Sequence, residues 1–320
     1  MIKEKLTLAE QTLAALSEHE TDCRLCPREC GVNRKHSQSG FCRSGYRASV
    51  SHGLLHYGEE PVLSGQEGSG TIFFSGCSLK CCFCQNYQLS WEQQGREVSD
   101  EELADMIMEL QRQGALNINL VSPTHHLLAI LRAWILALKQ GLRLPVVYNS
   151  SGFEKANVLR HLEGLVDIYL PDLKYHSPLL AEKLSGAPDY FKIASRAITE
   201  MYCQQPRLKW DEKGAALKGL IIRHLILPGH TDDSIRILQW IADNLSLSIG
   251  ISLMSQYHPC YHAPPEIQRS LSAQEYRNVL DQALAKGFQN LYVQPEGFTS
   301  EEHLIPDFNR PTPFLWKVKD

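Results

Sequence analysis

The 320-residue chain lacks a long apolar run: its longest, residues 127–138, is interrupted by Arg132 and is too short and too charged to span a bilayer. It also lacks an excess of one charge. Thirty-two Lys and Arg stand against 36 Asp and Glu, a net charge of −4, so no nucleic acid or other polyanion is expected as a partner. Internal repeats and low-complexity segments are missing, which excludes solenoids and disordered arrays. The first residues, MIKEKLTLAEQTLAALSEHE, mix both charge signs without an apolar centre and read as an amphipathic surface helix, not a signal peptide. Together these absences lead to the expectation of a cytoplasmic protein that engages neither membrane nor nucleic acid. At 43% hydrophobic and 21% charged, the chain has the composition of a globular protein with one large core, with or without a smaller domain.

What the sequence does have is cysteine. In a reducing compartment, clustered cysteines point to metal binding or catalysis more than to disulfides. Eight of the ten precede residue 85, while Cys203 and Cys260 stand alone. The expected division is an amino-terminal helix with a cysteine-rich metal-binding region over 1–68, an α/β domain over 69–296, and a Pro-rich tail over 297–320 packed along the surface. A Gly-rich stretch near 65–70 marks the first transition.

Within the second region, apolar strand windows at 71–75, 117–121, 145–148, 167–170, 220–227, 248–254 and 290–293 alternate with helical patterns at 100–113, 126–139, 154–162, 232–244 and 273–286. Ser99 before Asp100 is a plausible N-cap with acidic residues in the first turn. Repeating β–α units with short connections imply parallel strands. The expected fold is α/β, a partial (β/α)6-type parallel barrel with a small cysteine-rich amino-terminal domain. A full barrel or an open doubly wound sheet fits the same pattern. In all three, chemistry gathers at the carboxyl ends of the strands.

The first of these strands ends in Gly76-Cys77-Ser78-Leu79-Lys80-Cys81-Cys82-Phe83-Cys84, a Cys-x3-Cys-x2-Cys spacing. Three thiolates on one loop suit three irons of a cubane cluster and leave the fourth iron open, the mark of a catalytic site. A structural zinc knuckle is the alternative, and three cysteines without a nearby fourth suit it poorly. Cys82 falls outside the spacing. These residues resemble the signature of the radical S-adenosylmethionine (SAM) superfamily, with Cys77, Cys81, Phe83 and Cys84 matching it position by position. The resemblance implies a [4Fe-4S] cluster whose open iron is chelated by SAM. It implies reductive cleavage to methionine and a 5′-deoxyadenosyl radical, with Phe83 beside the adenine.

The resemblance extends over roughly residues 20–295 and is nearest to pyruvate formate-lyase activating enzymes and a branch of iron–sulfur proteins that shares these amino-terminal cysteines. Where most members carry Gly-Gly-Glu after the second strand, this chain has NINLVSPTHH, which offers Asn119, Ser122 and Thr124 for the methionine moiety; the same residues make an ordinary strand-to-helix turn. The third strand ends in Asn149, Ser150 and Ser151, placed either at ribose or substrate or as helix caps. Asp172 and Lys174 resemble an Asp-x-Lys that helps hold SAM, against the plain reading of a strand-end ion pair. Arg223 resembles an arginine that approaches the SAM carboxylate; as a charge within an apolar strand it requires an anionic partner. Tyr257-His258 resembles a pair in which the histidine lies near the adenosine, and Gln256 and Gln294 are further pocket candidates.

A second set, Cys23, Cys26, Cys30 and Cys42, has the spacing Cys-x2-Cys-x3-Cys-x11-Cys. Four thiolates suit zinc or a second iron–sulfur cluster, and spacing does not choose between them. Arg24, Arg28, Arg34 and Arg43 stand nearby to offset thiolate charge. The activity expected from the resemblance is that of a radical SAM oxidoreductase. It would abstract hydrogen from a protein or peptide, as glycyl-radical activases do, with a reductant such as flavodoxin or ferredoxin. Modification of a small molecule and a non-enzymatic iron–sulfur electron carrier are the alternatives.

Overall fold

The computed structural model describes residues 2–294 and 305–314. Helix α1 (Ile2–Leu16) is followed by a loop-rich stretch to residue 47, then β1 (Ala48–His56), the short α2 (Pro61–Ser64), β2 (Ser69–Phe74), α3 (Tyr87–Ser90) and β3 (Arg96–Val98). The β–α alternation continues with α4 (Asp100–Arg112), β4 (Ile118–Val121), α5 (Leu127–Lys139), β5 (Val146–Ser150), α6 (Ala156–Arg160) and β6 (Ile168–Pro171). Two helices, α7 (Pro178–Ser185) and α8 (Tyr190–Gln204), precede β7 (Lys209–Trp210) and β8 (Ala216–Leu225). Helix α9 (Thr231–Asn244), β9 (Gly250–Met254), α10 (Ala273–Ala285) and β10 (Asn290–Val293) complete the series.

The strands form one sheet in the order β10-β9-β8-β6-β5-β4-β2-β1-β3, with β7 on β8. From β2 to β10 every neighbour along this path is parallel, while β1 pairs antiparallel with both β2 and β3. The sheet is therefore an open parallel α/β barrel segment, as the alternation of apolar runs and helical patterns implies, and each of the seven expected strand windows holds a parallel strand. Three strands and four helices (α2, α3, α7 and α8) carried no clear signal. β3 and β7 are too short for a pattern, and β1 has only partly buried residues through its centre.

Side chains alternate between two faces of the sheet. Ile72, Leu120, Tyr148, Tyr169, Ile222 and Leu253 join the large core beneath the helices. Val147, Ile168, Leu170 and Ile221 point the other way and meet Leu63 of α2. The segment carrying α2 thus enters the concave side and forms its base. At α4, Ser99 and Glu102 make a reciprocal capping box, as expected of that N-cap. Helix α5 is buried over most of its length because α1 and α4 both pack on it. No described helix is long and apolar enough to cross a membrane. Of the expected tail, 297–304 and 315–320 lie outside the described residues; between them, Phe308 and Phe314 are buried against Phe73 and Leu89.

Arg132 of α5 fastens the amino-terminal stretch to the barrel. Its guanidinium donates to Glu20 at 2.8 Å, Asp100 at 2.7 Å and the Tyr46 carbonyl at 3.0 Å. Glu20 is buried, and Lys35 is its second cation among the described residues. Arg132→Leu is expected to cost roughly 3 kcal/mol, the low end for stranding a buried charge; urea unfolding measures it, and an unchanged midpoint would show that the ties carry no net stability.

Candidate functional site

At the carboxyl ends of the parallel strands lies a cavity of about 320 Å³. Cys77, Cys81 and Cys84 line it, on the loop that leaves β2. The loop is fixed by main-chain bonds. His125 and His126 both reach the Ser75 carbonyl, at 2.9 and 3.0 Å. Gly76, at φ +87°, passes so close to the Cys42 carbonyl that a Cβ would stand 2.6 Å from it. The sulfurs receive donors: Leu79 and Lys80 N–H point at Cys77 Sγ (3.3 and 3.4 Å), and the Ser185 hydroxyl lies 3.1 Å from Cys81 Sγ.

Burial raises the Cys77 thiol and pushes Cys84 up to about 12, with the neighbouring cysteines adding to the effect. Binding of a metal must therefore displace protons, the usual linkage for thiolate sites. Largely shielded thiols with N–H and O–H donors fit an iron–sulfur cluster, whose potential is set in part by hydrogen bonds to sulfur. No three His, Cys, Asp or Glu side chains among the described residues stand as ligands of a single ion; thiolates that each take a different iron of a cubane do not converge on one point. Cys82 does not line the cavity: its N–H bonds the Leu184 carbonyl and its thiol is pushed up to about 11 by burial.

The structure brings Phe83, Ser122, Ser151, Asp172, Lys174, Arg223 and His258 to the same cavity. Phe83 is wedged against Tyr257, with centroids 5.8 Å apart. Ser122 holds φ +58°, a left-handed backbone that turns the chain sharply after β4. Lys174 Nζ donates to Asp172 at 2.6 Å. Burial opposes its charge, yet Asp172 and nearby Cys81 hold the ammonium well above the usual lysine range. The Tyr190 hydroxyl locks this corner: it bonds the carbonyls of Ser151 (2.8 Å) and Asp172 (2.9 Å) and accepts from Lys174 N–H (3.0 Å). Gly152, at φ +74°, lets the two loops meet; a Cβ there would fall 2.2 Å from the Asp172 carbonyl.

Three placements differ from the sequence reading. Arg223 has the anionic partner it requires, but that partner is the protein's own. Its guanidinium bonds Glu60 at 2.7 and 2.6 Å and Glu59 besides, both carboxylates nearly sealed from solvent. Asn119 does not line the cavity and donates to Glu59 at 3.0 Å. Thr124 also lies outside it, because its hydroxyl donates to buried Glu154. Glu59 and Glu60 line the cavity, and no motif announced them; the only signal is two adjacent acids before Pro61. Cys23, Cys26, Cys30 and Cys42 lie outside the cavity, behind the cysteine loop.

Comparison with known proteins adds the following. The family model described as Radical SAM superfamily matches residues 71–241. An uncharacterised protein of Methanocaldococcus jannaschii is 35% identical over 274 residues, which cover 82% of this chain and 74% of the relative. A second from the same organism is 22% identical, covering 81% and 80%. Among solved structures, that of methylornithine synthase aligns with a TM-score of 0.42 at 16% identity, over 66% of this chain and 60% of that one.

Two stability measurements test the site's electrostatics. Glu154 is buried and raised to about 7 by that burial, despite hydrogen bonds from Thr124 and Tyr148. A carboxyl raised on folding stabilises most below its unfolded pKa, and the contribution is lost as pH rises through 7. Between pH 4.5 and 7 the native protein should therefore lose roughly 3 kcal/mol that Glu154→Gln does not; parallel urea profiles would disprove this. Arg223→Met strands two buried carboxylates and should cost about 3–5 kcal/mol, with part regained in Arg223→Met/Glu60→Gln.

Proposed function

The chain belongs to the radical SAM superfamily, and from that membership we propose that Cys77, Cys81 and Cys84 hold the [4Fe-4S] cluster the family implies and that the cavity beside them takes SAM. The observation that carries the proposal is the meeting of three cysteines, two of them supplied with hydrogen-bond donors, and the Asp172–Lys174 pair around one cavity. When bound and reduced, the cluster supplies the electron that splits SAM into methionine and a 5′-deoxyadenosyl radical.

The chain's own groups do the holding. Lys174 and Asp172 present opposite charges suited to a zwitterionic amino acid moiety. Ser122 and Ser151 bring hydroxyls from the neighbouring strand ends, in place of the absent Gly-Gly-Glu. Phe83 offers an aromatic surface for adenine, and His258, which follows Tyr257 in the chain, lines the same cavity. Tyr190 is a positioning residue: it keeps the 151 and 172–174 loops together and touches neither ligand. Arg223 serves the cavity floor through Glu59 and Glu60.

For substrate, we propose a protein or peptide that gives up a hydrogen atom in the manner of a glycyl-radical activase reaction, with a flavodoxin- or ferredoxin-class reductant in the cytoplasm. The open sheet supports this reading: among the described residues β10 pairs only with β9, which leaves a lateral side for an entering loop. The buried Glu59–Arg223–Glu60 trio favours a second reading, a small polar substrate held on a charged floor.

Anaerobically reconstituted, reduced protein should yield equal amounts of methionine and 5′-deoxyadenosine, and Ala at Cys77, Cys81 or Cys84 should abolish both. Retained cleavage in any of the three sinks the cluster assignment. Deuterium transfer into 5′-deoxyadenosine separates the substrates: label arriving from a deuterated protein fraction supports the peptide reading, and label arriving only from metabolites of a protein-free extract overturns it.

A further inference from the structure

The function above uses three cysteines of the first eight. Cys23, Cys26, Cys30 and Cys42 form a second gathering with its own geometry. Cys23 N–H bonds the Val32 carbonyl at 3.1 Å and Gly31 N–H returns to the Cys23 carbonyl at 3.0 Å, closing the turn that carries Cys26 and Cys30. Phe41 N–H points at Cys30 Sγ at 3.4 Å, so residues 41–42 fold back onto that turn. The approach is tight enough that a Cβ on Gly40 would stand 2.7 Å from the same sulfur. Cys23, Cys26 and Cys42 are buried and Cys30 is exposed.

The charges around these thiols say more than their spacing. Arg34 is 7% exposed, deep for a guanidinium. One nitrogen donates to the His125 carbonyl and another lies 3.6 Å from Cys42 Sγ, while its buried Nε has no hydrogen-bond partner. The thiols of Cys42, Cys23 and Cys26 are prominent among its electrostatic neighbours. A buried cation without a counter-charge is costly by several kcal/mol. Metal-bound thiolates beside Arg34 would supply that charge. Thiolates in such number are held by a metal. Arg28 lies within electrostatic reach of Cys26 and Cys30, and Lys80 within reach of Cys42, so further cations face the same group.

We propose that Cys23, Cys26, Cys30 and Cys42 are the ligands of a second, thiolate-rich metal centre, zinc or iron–sulfur, whose negative charge is balanced by Arg34, and that this centre anchors the loop bearing Cys77. The anchoring contacts are in place. The Cys42 carbonyl abuts Gly76, and Arg28 donates to the carbonyls of Ser78 (3.0 Å) and Leu79 (3.4 Å). Among the described residues no three cysteine side chains stand as ligands of a single ion, so binding at Cys23, Cys26, Cys30 and Cys42 would draw the sulfurs closer on loops that main-chain bonds already position.

The test uses the full chain with Ala at Cys77, Cys81 and Cys84, purified anaerobically, so that SAM chemistry plays no part. Metal and acid-labile sulfide analysis should find a retained centre, lost when Cys30→Ser is added. Zinc without sulfide identifies a zinc site, and iron with sulfide identifies a cluster. A metal-free triple variant that circular dichroism shows to be folded overturns the proposal. Arg34→Met should weaken metal retention against a chelator about tenfold, the usual scale for a supporting residue, while Arg34→Lys keeps most of it; equal retention in both removes the charge-balance argument. In the chain with Cys77, Cys81 and Cys84 intact, Cys30→Ser should release iron from the first site about tenfold faster under chelator. Unchanged release removes the anchoring role.

Discussion

Arg223 carries a charge into the buried part of β8, and much of the cavity's form follows from what that charge requires. Ile221 and Ile222, which precede it on β8, are buried on opposite faces of the sheet. None of them can screen a guanidinium, so a counter-charge has to come from elsewhere in the chain. It comes from Glu59 and Glu60, on the segment that leaves β1 and enters the concave side. Leu63 follows them and packs on Val147, Ile168 and Leu170. One ion group and one apolar patch thereby fix the base of the barrel segment, and with it the depth of the cavity above.

The rim is held by a different principle, hydrogen bonds to main-chain carbonyls. His125 and His126 grip the residue before Gly76, and Tyr190 spans the two loops at Ser151 and Asp172. These bonds involve no group that must be ionised. His125 is lowered to about 4 by burial, so it remains neutral and its tautomer can serve the Ser75 carbonyl. Side chains that face the cavity are thus presented from loops whose backbone is already constrained, which is what a site needs to hold a ligand in one pose.

The sequence was most legible where a single physical cause dominates. The seven parallel strands announce themselves because burial on both faces demands uninterrupted apolar residues. The thiol spacing of Cys77, Cys81 and Cys84 is equally direct, since three cysteines within eight residues have few other uses. Legibility failed where a local pattern serves two ends. Thr124 reads as a ligand hydroxyl or as a turn residue, and only the position of Glu154 thirty residues on decides that it is spoken for within the protein. Arg223 shows the intermediate case: the need for an anion is readable from one strand, but its identity lies in a segment before the barrel. Tyr190 and Gly152 were invisible for the same reason, because their roles exist only once β5 and β6 lie side by side.

The distance along the chain between Arg223 and its partners, 163 residues to Glu60, also imposes an order of events during synthesis. At ribosomal speeds of about 5–20 residues per second, the two glutamates emerge on the order of 10 s before the arginine that neutralises them. During that interval the base of the barrel segment cannot close, because two bare carboxylates would have to be dehydrated. The cysteine loop, by contrast, is already outside the ribosome. The nascent chain therefore passes through a period in which its sulfur-bearing loop is made while the chamber below still stands open to water.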